Sequence, residues 1–182
     1  MSCYCDSAPG HSVHGPYHDT EYGFPLADEA GLFERLSLEI FQAGLSWEIV
    51  LKKRPTIFAA FAGFDVGTVA AYGEANTARL LADTGIIRNR LKVAALIENA
   101  RRIQALRESH GGLAAWISAH HPRDKKDWVK LFRQTFLFTG GEIVGAFLMS
   151  IGYLPGTHRV DCPIFARIAA LAPPWMEAAK KD

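Results

Sequence analysis

Two groups of histidine and cysteine stand at opposite ends of this 182-residue chain. His158-x-x-x-Cys162 has the spacing of two ligands that reach one ion. Near the other end, Cys5 and His18 lie in a Gly-, Pro- and His-rich segment, with Cys3, His11 and His14 as competing donors. One cysteine and one histidine from each end supply the four N/S donors of a closed tetrahedral zinc site, which would clip the first segment to the last. Four protein donors leave no open coordination position, so a catalytic zinc hydrolase fits this set less well than a structural ion.

Glu39 is the next residue with chemical potential. It follows Leu32 by seven positions and Leu36 by three, at the edge of one apolar helical stripe. A carboxylate there is costly unless something compensates it. It either pairs with a nearby cation or lines a pocket that awaits a cationic or donor-rich ligand. Gln42, Gly44 and Trp47 follow, so one helix end can present a carboxylate, an amide and an indole to one cavity. Tyr17-His18-Asp19-Thr20-Glu21-Tyr22-Gly23 brings two more aromatic rings. A third constellation is the turn Phe138-Thr139-Gly140-Gly141 ahead of an apolar helix, whose outward N–H groups suit a phosphate. Glu142 in the first turn of that helix opposes an anion. Taken singly, each feature also has an ordinary reading: a helix-edge glutamate, a core tryptophan, a common interhelical Gly pair.

The elements that must position these residues are helical, and the expected fold class is all-α. Asp28 caps a stretch to about Ala43, whose Leu32, Phe33, Leu36 and Ile40 recur with a helical period. Ser46 caps a piece from Trp47 to Arg54, which Pro55 is expected to end. Further helices are expected near Val66–Tyr72, Asn76–Ala82, Ile86–Glu108, Leu113–His120, Lys126–Gln134 and from Gly141 to Ser150, with a short one in the tail. Residues 1–26, rich in Gly and Pro, are expected to be irregular. Length favours a single domain, 1–182, in which 1–26 and 153–182 pack together through the zinc site.

Composition narrows the function classes. The chain is 49% hydrophobic and 21% charged with net charge +1, which is ordinary for a soluble domain and not the basic balance of a general nucleic-acid binder. Nucleic-acid contact must therefore be local, and the candidate clusters are Lys52-Lys53-Arg54, Arg88 with Arg90 and Lys92, and Arg101-Arg102. No apolar run has the length of a membrane span, and Met-Ser-Cys-Tyr-Cys is not a signal-peptide start. Three cysteines, two of them at 3 and 5, point to reduced thiols in a cytoplasm.

These segments together resemble the 3-methyladenine DNA glycosylase I family of the helix-hairpin-helix superfamily. The likeness rests on Tyr17-His18-Asp19-Thr20-Glu21-Tyr22-Gly23, Leu38-Glu39 with Gln42-Ala43-Gly44-Leu45-Ser46-Trp47, Gly85-Ile86-Ile87-Arg88-Asn89-Arg90, Phe136-Leu137-Phe138-Thr139-Gly140, and the frame C-x12-H with H-x3-C. That frame selects Cys5 over Cys3. The resemblance implies a monofunctional enzyme that flips N3-alkylated adenine out of double-stranded DNA, hydrolyses its N-glycosidic bond and releases free 3-methyladenine. It implies Glu39 as the catalytic carboxylate, Tyr17, Trp47 and Gln42 around the base, and Gly140 and Gly141 at the DNA backbone. Leu45 is the candidate to fill the gap left by the flipped base. One structural zinc ion on Cys5, His18, His158 and Cys162 and a monomeric state complete the expectation. This chain departs from the family pattern where Asp6-Ser7 follow Cys5 in place of a tryptophan, and where Tyr22 replaces another. The competing reading is a non-catalytic, zinc-clipped helical module that binds nucleic acid, and the missing tryptophan is its support.

Overall fold

A computed structural model describes residues 4–179, so Cys3 lies outside the described residues. The described chain is helical throughout and contains no strand. In order it forms α1 (Tyr4–Ser7), α2 (His14–Thr20), α3 (Glu29–Gln42), α4 (Trp47–Ala60), α5 (Val66–Ala70), α6 (Glu74–Ala82), α7 (Arg90–His110), α8 (Leu113–His120), α9 (Lys125–Thr135), α10 (Gly141–Ser150), α11 (Pro163–Ala170) and α12 (Pro174–Ala178). None of these helices is long and apolar enough to cross a membrane.

Capping chemistry sets several of the starts. The Asp28 carboxylate accepts from the Gly31 N–H at 2.7 Å, Ser46 Oγ from Ile49 at 3.4 Å and the Asn89 side chain from Lys92 at 3.1 Å. Each such cap contributes about 1 kcal/mol. Asn89 also moves the start of α7 to Arg90, later than the expected Ile86. Gly111, at φ 86°, ends α7 in the left-handed conformation that glycine adopts without a Cβ penalty.

Two expectations fail. The opening 26 residues are not irregular: α1 and α2 lie within them. Pro16 sits in the first turn of α2, where its missing N–H would have had no helical partner in any case. Pro55 does not end α4, which continues to Ala60. Past the missing bond, Thr56 Oγ1 lies 2.8 Å from the Lys53 carbonyl and 2.6 Å from that of Gly85, while Ile57 and Ala60 are buried in the core. Tertiary burial there outweighs a local break.

Helix α7 is the spine. Val93, Leu96, Ala100 and Ile103 are fully buried, and α7 packs against α3 and α5. A second part of the core is aromatic: Trp116, Trp128, Phe132, Phe136 and Phe147 meet with ring centroids 5.3–6.0 Å apart. The polar residues of α7 do a different job. Lys92 is buried and donates to the Phe41 and Ala43 carbonyls at the end of α3. Asn99, 1% exposed, donates to the Leu137 carbonyl at 3.0 Å and accepts from the Leu137 N–H at 2.8 Å. Arg102 donates to the Thr135 carbonyl at 3.1 Å. One helix thus fixes both the α3–α4 loop and the α9–α10 turn, in which Phe138 takes a left-handed φ of 60°.

Candidate active site

Beside the α3–α4 loop lies a cavity of about 280 Å³, lined by Tyr4, Tyr17, Tyr22, Glu39, Gln42, Trp47 and Ala146. Glu39 and Gln42 come from the last turn of α3, and Trp47 opens α4 after the Gly44 turn at φ 85°. Tyr17 comes from α2, and Ala146 from α10. The sequence-expected carboxylate, amide, indole and tyrosine therefore converge.

Glu39 is 5% exposed, and no hydrogen-bond or ion-pair partner reaches its carboxylate among the described residues. Burial pushes its pKa up to about 7, with the Arg35 charge one turn away partly offsetting that rise. Tyr17 is buried, and its ring meets Trp47 edge-on at 5.1 Å and Tyr22 at 5.6 Å. Burial also raises the Tyr17 pKa, so the phenol stays protonated. Arg35 Nη1 donates to Tyr17 Oη at 3.3 Å and to the Ser150 carbonyl at 3.4 Å, while Nη2 donates to Glu21 at 2.9 Å. A guanidinium has no acceptor, so the Tyr17 hydroxyl accepts from Arg35 and keeps its own proton for another partner. Behind this wall Arg54 forks onto Glu34 at 2.8 and 2.9 Å and reaches Glu21 at 2.7 Å.

Three participants escaped the sequence reading. Tyr4, just before Cys5, lines the cavity and stands edge-on to Tyr22 at 5.5 Å. Its signal was its adjacency to Cys5, a candidate metal donor. Arg35 looked like one more helix charge, and Ala146 carried no signal. Leu45, 40% exposed, lines an adjoining cavity of about 380 Å³ that shares Glu39, Gln42 and Ala146 with the first and is also lined by Glu142 and Ile143. Gly140 and Gly141 line neither cavity and lie at the start of α10. No side chain caps that start, and a Cβ placed on Gly140 would meet nothing within 4 Å.

Most members of the basic clusters picked out in the sequence are engaged by other groups of the fold. Lys52 pairs with Glu48, Lys53 donates to the Thr84 carbonyl, Arg54 and Lys92 are held as described, and Arg101 donates to the Ala70 and Tyr72 carbonyls. Arg88 and Arg90 are exposed and make no hydrogen bond or ion pair with a described residue, whereas the exposed Lys52 and Arg101 are paired at the surface.

Cys5, His18, His158 and Cys162 converge, with their ligand atoms all within 4.8 Å of one another. His158 Nδ1 lies 3.6 Å from both sulfurs, and His18 Nε2 lies 4.0 Å from Cys162 Sγ. Zinc bonds of about 2.3 Å to sulfur and about 2.0 Å to nitrogen place adjacent donors about 3.5 Å apart around a tetrahedral ion, so the set fits. The outward ring nitrogens are also engaged: His18 Nδ1 with Asp19 at 2.7 Å and His158 Nε2 with the Tyr22 carbonyl at 2.7 Å. Such partners fix the ring orientation that ligation needs. Asp161, one residue before Cys162, pairs with Arg159, which also binds Asp6, and takes no place in the cavity.

A model of the methyladenine glycosylase family matches residues 8–130. The chain belongs to the methyladenine glycosylase family. It is 53% identical over 85 residues to DNA-3-methyladenine glycosylase 1 of Escherichia coli, which is 47% of this chain and 46% of that protein. With the DNA-3-methyladenine glycosylase of Haemophilus influenzae it shares 32% identity over 182 residues, 90% of this chain and 98% of the other. Among solved structures, 3-methyladenine DNA glycosylase I of Staphylococcus aureus, described for its recognition of 3-methyladenine, matches with a TM-score of 0.79 and 28% identity over 88% of this chain and 95% of its own.

Proposed function

We propose that this protein is a monofunctional DNA-3-methyladenine glycosylase of base-excision repair. It hydrolyses the N-glycosidic bond of N3-alkylated adenine once the nucleotide has been flipped from double-stranded DNA, and it releases free 3-methyladenine. The observation that carries this reading is Glu39, a buried carboxylate without a protein partner, set in an aromatic cavity. Such a group is costly in the empty protein and is compensated by a cationic ligand. A base methylated at N3 is cationic, and its glycosidic bond is already weakened, so no protonation step is required. Glu39 favours that charge and accepts hydrogen bonds from the base. Tyr17 and Trp47 supply ring faces, with a cation–π contribution of about 0.5–2 kcal/mol that neutral adenine lacks. Gln42 offers an amide at the same wall. Water is the nucleophile, consistent with a lining that contains no lysine for a Schiff base.

Outside the cavity, Leu45 is proposed to fill the gap left by the flipped base, and the open α10 N–H groups at Gly140 and Gly141 to take a phosphate, making α9–turn–α10 the helix-hairpin-helix unit. Zinc on Cys5, His18, His158 and Cys162 would cross-link the two ends of the chain and take no part in the chemistry. The non-catalytic reading rested on the missing tryptophan after Cys5. Tyr4 supplies an aromatic wall from the other side of that cysteine, which favours the catalytic reading. The deciding experiment is release of free 3-methyladenine from methylated duplex DNA by the purified protein. DNA binding without base release sinks the enzymatic reading.

Arg35 provides a finer test. Arg35→Met is expected to weaken binding of free 3-methyladenine about tenfold, and less than about twofold in a Tyr17→Phe background, because one charged hydrogen bond orients the Tyr17 hydroxyl. Calorimetric titration of the four proteins measures the coupling. Equal losses in both backgrounds would show that Arg35 acts on the fold and not through Tyr17.

A further inference from the structure

We propose that the exposed face of α9 is a second contact for the DNA backbone, beside the α10 start. A groove of about 660 Å³ on this face is lined by Lys125, Lys126, Val129, Lys130, Arg133 and Gln134, with four cations and no acid among them. In a chain of net charge +1 that is a strong local departure. Unlike Lys92, Arg54 or Arg101, the side chains of Lys126, Lys130 and Arg133 make no hydrogen bond or ion pair with any described residue. They recur at i, i+4 and i+7, so they share one helix face and span about 10 Å, the axial rise of about three phosphates of one strand.

The groove is continuous with the proposed DNA face. Lys125 Nζ lies 3.3 Å from Glu142, which lines the cavity beside Leu45. Glu142 is the acid that opposes a phosphate at the start of α10, and its side chain is 98% exposed. Lys125 offsets that charge, and the row behind it supplies the attraction that the α10 start alone lacks. A polyanion with regular phosphate spacing is the occupant this pattern fits, and the contact carries no base specificity.

The proposal rests on the glycosylase reading, but its test involves no chemistry. Binding of unmethylated duplex DNA is measured from low to moderate salt for the wild type, for Lys126→Gln/Lys130→Gln/Arg133→Gln, and for the charge-retaining Lys126→Arg/Lys130→Arg/Arg133→Lys. Each lost phosphate contact lowers the slope of log K against log salt by about 0.9. The Gln triple variant is expected to lose about 2–3 in slope and at least tenfold in affinity. The charge-retaining variant is expected to keep both, and free 3-methyladenine binding and Tm are expected to be unchanged in either. An unchanged slope in the Gln variant overturns the proposal, as does an equal loss in the charge-retaining variant. Failure of the wild type to release base from methylated DNA would instead overturn the glycosylase reading and leave this measurement standing.

Discussion

Glu39→Gln is expected to slow release of 3-methyladenine on the order of 10- to 100-fold while making the protein more stable at pH 8. The first effect is the loss of a charged hydrogen bond to a cationic base, worth about 1.5–3 kcal/mol. The second follows from proton linkage. The native carboxyl has a pKa of about 7, above its ordinary 4.5, so the folded state holds the proton more tightly than the unfolded chain. Between those values rising pH favours the unfolded state, and above pH 7 the full penalty, at most about 3 kcal/mol, is present. Glutamine removes it. The gain in Tm is therefore expected to be several degrees at pH 8 and to vanish near pH 4. In the wild type, kcat/KM should fall as pH drops below about 7, because the free enzyme then carries a neutral acid, and the Gln variant should lack that limb. Thermal melts at the two pH values and a pH–rate profile check this. A Gln variant with unchanged release removes Glu39 from its assigned role.

Removal of the proposed zinc is expected to cost the most stability. The four donors join residues 5 and 18 to residues 158 and 162, so an ion there closes nearly the whole chain. Chelation, or Cys162→Ser, is expected to lower stability by about 3 kcal/mol or more, a drop in Tm of roughly 10 °C for a domain of this size. Base affinity should fall with it, because Tyr17 is bonded to His18 and Tyr4 to Cys5 along the chain, and both rings line the cavity. Metal analysis should find one zinc per chain. A chain that purifies without metal and melts at the same temperature with and without chelator would rule out the clip.

The sequence by itself determined the helical class, most helix spans, the His158/Cys162 pair and the carboxylate at the end of α3, while the choice of Cys5 among competing donors at the other end came from the family resemblance. These are local or pairwise signals: a helical period, a capping side chain, a ligand spacing. Pro55 and the first 26 residues were misread for the complementary reason. Burial of Ile57 and Ala60 carries α4 past its proline, and packing around the terminal donors folds α1 and α2, neither of which is visible in a short window of sequence. Tertiary structure alone decided which charges are free. Lys92, Arg54 and Arg101 look like surface cations in sequence, yet backbone carbonyls and buried carboxylates on distant helices consume them, while Lys126, Lys130 and Arg133 stay unpartnered. It also decided that Glu39 faces a cavity and not a cation, that Tyr4 and Ala146 share in that cavity's walls, and that Arg35 holds Tyr17 from behind. Pairing across helices depends on geometry that no spacing along the chain encodes.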